Sequence, residues 1–276
     1  MVAAGARRSP DPQLLSAVAA RVRAAAEHYE PPDFGEAPGP DAALFLCAID
    51  HRTGYVGAHR VDGDGPFEGS ELLWSLGCKA ERRQPGTMSA ASLVAVTGEE
   101  VEGIFRAADE TVAGAGERAR LWRDLSAGLD SRYGGAAESL IAAAEGRLDD
   151  AGGLIARLAE FEAYADPLAK KAFLFAKIAA RRGWLMVADP ESWEVCADNV
   201  LMRLALRSGL VEPAPVDELR AATRSALKRL AEESGLAPPL LDDLLWELGR
   251  GDPDLLGTAG GAELREPPRP PGMLWY

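Results

Sequence analysis

The sequence predicts a mainly α-helical protein with one small β-hairpin. Three observations lead there. Apolar residues recur at spacings of three and four along much of the 276 residues. Helix starts (Asp-Pro, a Thr-x-x-Glu box) and helix stops (Arg or Ser followed by Gly) punctuate those runs. One stretch alone, 55–67, sets a Gly- and Asp-rich turn (VDGDG) between short runs, as a hairpin does. The glycines form no GxGxxG or P-loop pattern, so a doubly wound nucleotide fold is not supported, and there is no GxSxG elbow.

The elements follow in order. Over 12–29, Leu15, Val18, Val22, Ala25 and Tyr29 mark an amphipathic helix. A Pro- and Gly-rich loop covers 30–40. The run AALFLCAID over 42–50 is apolar throughout and reads as a buried helix capped by Asp41, delivering Asp50, His51 and Arg52 into a loop. After the hairpin, 71–77 is a short helix with Trp74 inward. Thr97 and Glu100 form a capping box that opens a helix to residue 108. Leu121, Leu125 and Leu129 share one face of a helix over 117–133, and helices over 136–146 and 152–164 follow. Asp166-Pro167 opens a helix that ends at Arg181-Arg182-Gly183. Asp189-Pro190 repeats that start signal. Asp198 begins another helix, closed by Ser208-Gly209, and helices over 215–234 and 240–249 complete the set. The tail EPPRPPGMLWY ends in Met273, Leu274, Trp275 and Tyr276, which are costly to leave in water and are expected to dock on the body.

Bulk properties narrow the function classes. The length suits one large domain or two small ones. No apolar run approaches the roughly 18–20 residues that span a bilayer. The first dozen residues lack the apolar core of a secretory signal. The three cysteines (Cys47, Cys78, Cys196) are far apart, each in an apolar setting, without CxxC spacing. Reduced, buried thiols in a cytoplasmic protein are expected. The three histidines (His28, His51, His59) have no zinc-ligand spacing, so no metal is expected. A net charge of −13 disfavours duplex nucleic acid, whose binding depends on phosphate neutralisation.

Some positions carry more chemistry than the fold requires. Asp198 reads as an N-cap, yet Val195, Cys196 and Ala197 before it and Val200, Leu201 and Met202 after it imply a buried start. A buried carboxylate near a cation is a catalytic candidate. Lys170 and Lys171 stand in the first turns of a helix, against its dipole. An anionic ligand or the Asp198 carboxylate would balance them. The loop Asp50-His51-Arg52-Thr53-Gly54-Tyr55 packs an acid, an imidazole, a guanidinium and a phenol into six residues. Glu68 and Ser70 precede the Trp74 helix, where Ser70 also reads as a cap.

The ordered series LFLCAIDHRTGY, FEGSELLW, PGTMSAASLVAVTGEEVEGIF, ERARLWRDLSAGLDSRYGG, AKKAFLFAKI, VCADNVLMR, LLDDLLWEL and terminal MLWY resembles the queuosine salvage family, the queuosine 5′-phosphate N-glycosidases. That family is itself similar in fold to the helix-hairpin-helix DNA glycosylases. The resemblance implies a multi-helix, DNA-glycosylase-like fold. It implies Asp198 as the catalytic carboxylate and Lys170 or Lys171 as the active-site cation. Asp50 and its loop (His51, Arg52, Tyr55) would face the base, with Glu68, Ser70 and Trp74 completing substrate binding. Two stretches depart from the pattern. The family's base-binding loop is rich in aromatics and has an Asn, and here it reads HRTGYVG. The glycosylase hairpin has phosphate-holding glycines, and here it reads EAYADPLAKK, which with the net charge argues against duplex DNA.

The expectation is therefore an N-glycosidase-type hydrolase that releases free base from a modified, queuosine-like nucleoside or its 5′-monophosphate, without metal or organic cofactor. Such cleavage passes through an oxocarbenium-like sugar, which a carboxylate stabilises or attacks. The alternatives are a DNA glycosylase or lyase with Lys171 as Schiff-base nucleophile, and a non-catalytic nucleoside-binding helical protein. The expected organisation is a flexible stretch over 1–11 and a helical domain over 12–276. That domain divides into lobes at 12–150 and 151–276, with the active site between them.

Overall fold

The computed structural model describes residues 11–32, 39–149, 151–261 and 274–275. Helix α1 (Pro12–Ala26) is followed by α2 (Pro40–Ile49), strands β1 (His59–Val61) and β2 (Asp64–Phe67), and α3 (Gly69–Arg83). Next come α4 (Ala90–Leu93), α5 (Gly98–Ile104), strands β3 (Arg106–Ala107) and β4 (Glu110–Thr111), α6 (Ala115–Tyr133), α7 (Ala137–Ala143) and α8 (Leu154–Leu158). A 3₁₀ turn at Glu162–Tyr164 precedes α9 (Lys170–Arg181), and another at Pro190–Ser192 precedes α10 (Asn199–Ser208). Helices α11 (Val216–Ser234) and α12 (Pro238–Gly251) follow. The protein is mainly α, as its periodicity predicts. Among the described residues there are two antiparallel strand pairs where the sequence predicts one.

The described residues gather into two compact units. The central unit comes from Asp33–Ser192 with Leu274–Tyr276, and the terminal unit from Met1–Pro32 with Trp193–Met273. Helix α1 therefore groups with the C-terminal helices, whereas a division at residue 150 places it in the first lobe. Its buried stripe of Leu15, Val18, Ala19 and Val22 explains this, because α1 packs along α11. The Arg23 guanidinium also donates to the Glu233 carbonyl at 3.0 Å. Within the same unit α10 packs on α11 and α12, burying Leu201, Leu204 and Leu241.

The central unit is built around α2. Every residue from Ala42 to Ile49 is buried, as expected of a helix that is apolar all round. Helices α3, α6, α7 and α9 surround it. The indole of Trp122 donates to the Phe45 carbonyl at 2.7 Å, and the Tyr164 hydroxyl donates to the Leu44 carbonyl at 2.6 Å. Helix α3 comes closest at Gly77, where an added Cβ would stand 2.3 Å from Leu46 Cδ2. Gly77→Ala is thus expected to destabilise by about 1–3 kcal/mol through overpacking, despite the better helix propensity of Ala. A lower urea midpoint at unchanged slope would register it.

Several boundaries differ from the sequence expectation, each for a local reason. Gly39, not Asp41, occupies the N-cap of α2; the Asp41 carboxylate instead accepts the Ala137 N–H at 2.6 Å. The Thr97 capping box forms, but its helix stops at Ile104. Arg106-Ala107 then pairs with Glu110-Thr111 across a turn in which Ala108 has φ of 52°. The helix around Trp74 runs on to Arg83 through good helix formers. The predicted 152–164 helix is the five-residue α8 followed by a 3₁₀ turn. Asp189-Pro190 opens only a 3₁₀ turn, and the Asp189 carboxylate receives the Leu148 and Asp149 N–H groups at 2.8 and 3.1 Å. Leu274 and Trp275 are partly buried. Met273, Tyr276 and residues 1–10, on which the docking tail and flexible start were expected, lie outside the described residues.

Candidate functional site

The chemistry-bearing residues of the central unit meet at the C-terminal end of α2. A helix leaves its last carbonyls unbonded and its C-terminal end partly negative, so it favours cations there. Lys171 Nζ donates to the Ala48 carbonyl at 2.6 Å, and Lys170 Nζ to the Asp50 carbonyl at 3.4 Å. This resolves the oddity of two lysines at the start of α9. Their ammonium groups serve the favourable end of a different helix. Asp166, where the sequence predicts the helix to open, lies one turn upstream of the observed start: its carboxylate accepts the Leu168 and Lys170 N–H groups at 3.1 and 3.0 Å. Ala169, in the left-handed region, then occupies the N-cap. Lys170 and Lys171 are therefore the first two residues of α9.

The loop after α2 is tightly folded. Arg52 has φ of 38°, and Gly54, with φ of 82°, comes so close to Ala113 that a Cβ would sit 2.5 Å from the Ala113 side chain. The Thr53 carbonyl accepts the Ala113 N–H at 2.7 Å. The buried Arg118 guanidinium ties the turn together by donating to the carbonyls of Ala113, His51 and Arg52. Burial lowers the Arg118 pKa to about 10, against the opposing pull of Glu117 and Asp50. Asp50 is held by the Ser70 hydroxyl at 2.7 Å and the Trp74 indole at 3.3 Å.

His51 lies between Lys171 and Glu117. Its Nδ1 is 3.0 Å from Lys171 Nζ, and its Nε2 is 3.2 Å from Glu117 Oε1. Burial first, then the charges of Lys171, Arg118, Lys170 and Arg52, push the imidazole pKa far down, so the ring is neutral. An ammonium only donates, so Nδ1 accepts from Lys171 and the ring proton on Nε2 goes to the Glu117 carboxylate. Lys171 is fully buried. Burial and then Lys170 lower its pKa to about 7, against Asp50, so the amine loses its proton near neutrality.

The structure thus brings together Asp50, His51, Ser70, Trp74, Lys170 and Lys171. Arg52 borders the group, its Nε and Nη2 buried without a hydrogen-bond partner among the described residues. The Tyr55 hydroxyl donates to the Phe105 carbonyl at 2.7 Å and anchors the loop; burial raises its pKa. Glu68 is exposed at the N-cap of α3 and makes no side-chain capping bond there, while Ser70 is inside the helix rather than its cap. Asp198 belongs to the terminal unit. It is buried and caps α10, Oδ1 accepting the Leu201 N–H at 2.9 Å. Glu117 and Arg118 were not anticipated. Arg118 had a legible signal: it stands in helical phase with Leu121, Trp122 and Leu125, a charge on the apolar stripe of α6. Two surface hollows, of about 250 and 280 Å³, are lined by Asp41, Glu81 and Glu138 and by Ile141, Trp184 and Met186; neither involves the cluster. Among the described residues no group of three or more His, Cys, Asp or Glu could hold a metal ion, and no helix is long and apolar enough to cross a membrane.

No family model matches the chain, and no curated protein matches it. Among solved structures, Pa-AGOG, an 8-oxoguanine DNA glycosylase from Pyrobaculum aerophilum in complex with 8-oxoguanosine, is similar over 89% of this chain and 84% of that chain. The identity is 18% and the TM-score 0.39, a degree of likeness that identifies neither a family nor a shared site.

Proposed function

We propose that the protein is an N-glycosidase-type hydrolase that releases free base from a nucleoside or nucleoside 5′-monophosphate of the queuosine-like class. The observation that carries this reading is the closed cluster at the end of α2. There the buried amine of Lys171, carried by α9, meets a loop that bears a neutral imidazole and a hydrogen-bonded carboxylate. A structural core needs none of these groups, and perturbed ionisable residues held together in this way mark working sites. In this reading the 50–55 loop faces the base and Lys170 supplies positive charge for a 5′-phosphate. The family resemblance assigns the carboxylate that stabilises the oxocarbenium-like sugar to Asp198. The net charge of −13 favours a small substrate over duplex DNA. Incubation with a panel of modified nucleosides and their 5′-monophosphates, with released base read by mass spectrometry, tests it. Release from at least one monophosphate is expected, and no release from any member would remove the reading.

One observation favours a second reading, a DNA glycosylase or lyase. Burial lowers the pKa of Lys171 to about 7, so part of its amine is unprotonated at neutral pH, the form a nucleophile needs; this reading requires the substrate to open the buried site. The amine lone pair would attack the sugar C1′ of a damaged nucleotide as the base departs, and loss of the amine proton with ring opening would leave an imine. Borohydride would reduce that imine to a stable protein–DNA adduct. An adduct on damaged duplex that disappears in Lys171→Gln would establish this second reading. Absence of salt-sensitive DNA binding would exclude it.

A further inference from the structure

The cluster contains one path that the proposed chemistry does not itself require. Lys171 Nζ, His51 Nδ1, His51 Nε2 and Glu117 Oε1 form a continuous chain with heavy-atom separations of 3.0 and 3.2 Å on either side of the ring. Its two ends differ in setting. Lys171 is inaccessible, whereas the Glu117 side chain is 38% exposed at the first turn of α6. Lys170, Asp50, Arg52, Arg118 and Cys47 are the other charged or titratable groups that act on the chain. None of them continues it in the direction of Glu117.

We propose that Glu117, acting through His51, is the proton port of the buried Lys171 amine. A proton leaves Lys171 Nζ for His51 Nδ1 as the ring proton leaves Nε2 for Glu117 Oε1. One N–H bond forms at Nδ1 for the one broken at Nζ, and one O–H bond forms for the N–H broken at Nε2. The ring remains neutral throughout and ends in the other tautomer, and the Glu117 carboxyl delivers its proton to water. The reverse sequence recharges the amine. A two-ended transfer is what this site requires, because the surrounding cations and burial exclude an imidazolium intermediate. His51 and Glu117 are therefore positioning residues that act on Lys171. The proposal takes its purpose from the reading of Lys171 as a working amine, but its geometry stands without substrate.

The test measures exchange of the Lys171 Nζ protons with water by NMR on protein carrying ¹⁵N-labelled lysine. The chain has five lysines (Lys79, Lys170, Lys171, Lys177 and Lys228), so single substitutions assign the signals. Glu117→Gln keeps an acceptor for the imidazole but takes up no proton. It is expected to slow Nζ exchange by about tenfold or more. Glu117→Asp should retain most of the rate. Should Glu117→Gln be poorly folded, Glu117→Ala serves instead, with added formate expected to restore exchange. Exchange in Glu117→Gln within about twofold of the parent, or no effect of formate on Glu117→Ala, would overturn the proposal. The readout needs no substrate, so a slowed exchange stands even where no nucleoside is cleaved.

Discussion

Asp198→Asn is expected to lose base release by about 10²–10⁴-fold, the usual worth of a positioned acid–base or charge-stabilising carboxylate, while the fold stays intact. The separation is possible because of what Asp198 does structurally. Its Oδ1 accepts the Leu201 N–H at the start of α10, and Asn caps a helix about as well as Asp. The substitution therefore keeps the cap and removes the charge. Asp198→Ala removes both and is expected to cost about 1 kcal/mol of stability as well. Thermal melts and base release measured side by side on the two variants distinguish the roles. Full activity in Asp198→Asn with an unchanged melt would reduce Asp198 to a helix cap.

Lys171→Met is expected to abolish activity and also to change how stability responds to pH. The folded-state pKa of Lys171 is lowered to about 7, below its ordinary value of 10.5. Between those values the unfolded chain binds a proton there that the folded chain does not. Stability therefore rises with pH across that window, and the cost of the buried ammonium is fully present below about pH 7. The contribution is about 5 kcal/mol when the whole window is crossed. Urea unfolding of the parent and Lys171→Met at pH 6, 7, 8 and 9 isolates it, because the net negative charge of the rest of the chain affects both proteins alike. The parent should gain stability relative to the variant as pH rises, and parallel pH profiles would show that Lys171 is not a buried titrating amine. The variant also leaves the Ala48 carbonyl and His51 Nδ1 without the Lys171 donor, a further cost of about 1–3 kcal/mol.

Much of this arrangement was legible in the residues. The loop from Asp50 to Tyr55 held too many polar groups for a connector, and the structure closes it around Asp50 and His51. The doubled lysines sat against the dipole of their own helix, which pointed to a partner elsewhere. That partner is the carboxyl end of α2, and no local rule could have named it. Ser70 read as a helix cap because caps are local, but its hydroxyl reaches Asp50, 20 residues away in sequence. Glu117 is by position a first-turn acid, which complements a helix dipole anywhere. Only its approach to His51 makes it more than that. Arg118 went unremarked in the sequence although pattern alone could have marked it, since a charge in phase with Leu121, Trp122 and Leu125 requires buried partners.

What the sequence determined by itself was the helical class and most helix limits, because hydrophobic period and caps act within one or two turns. It also marked the residues whose presence a core could not explain. What tertiary structure alone decided was the company those residues keep. The ends of a buried helix expose unbonded carbonyls, and whichever cations the packing brings there will serve them. Lys170 and Lys171 meet the end of α2 across some 120 residues of chain, in a place too dry for a charged imidazole. The low pKa of Lys171 and the neutral state of His51 arise from that burial and those neighbours, neither of which is a property of any segment on its own.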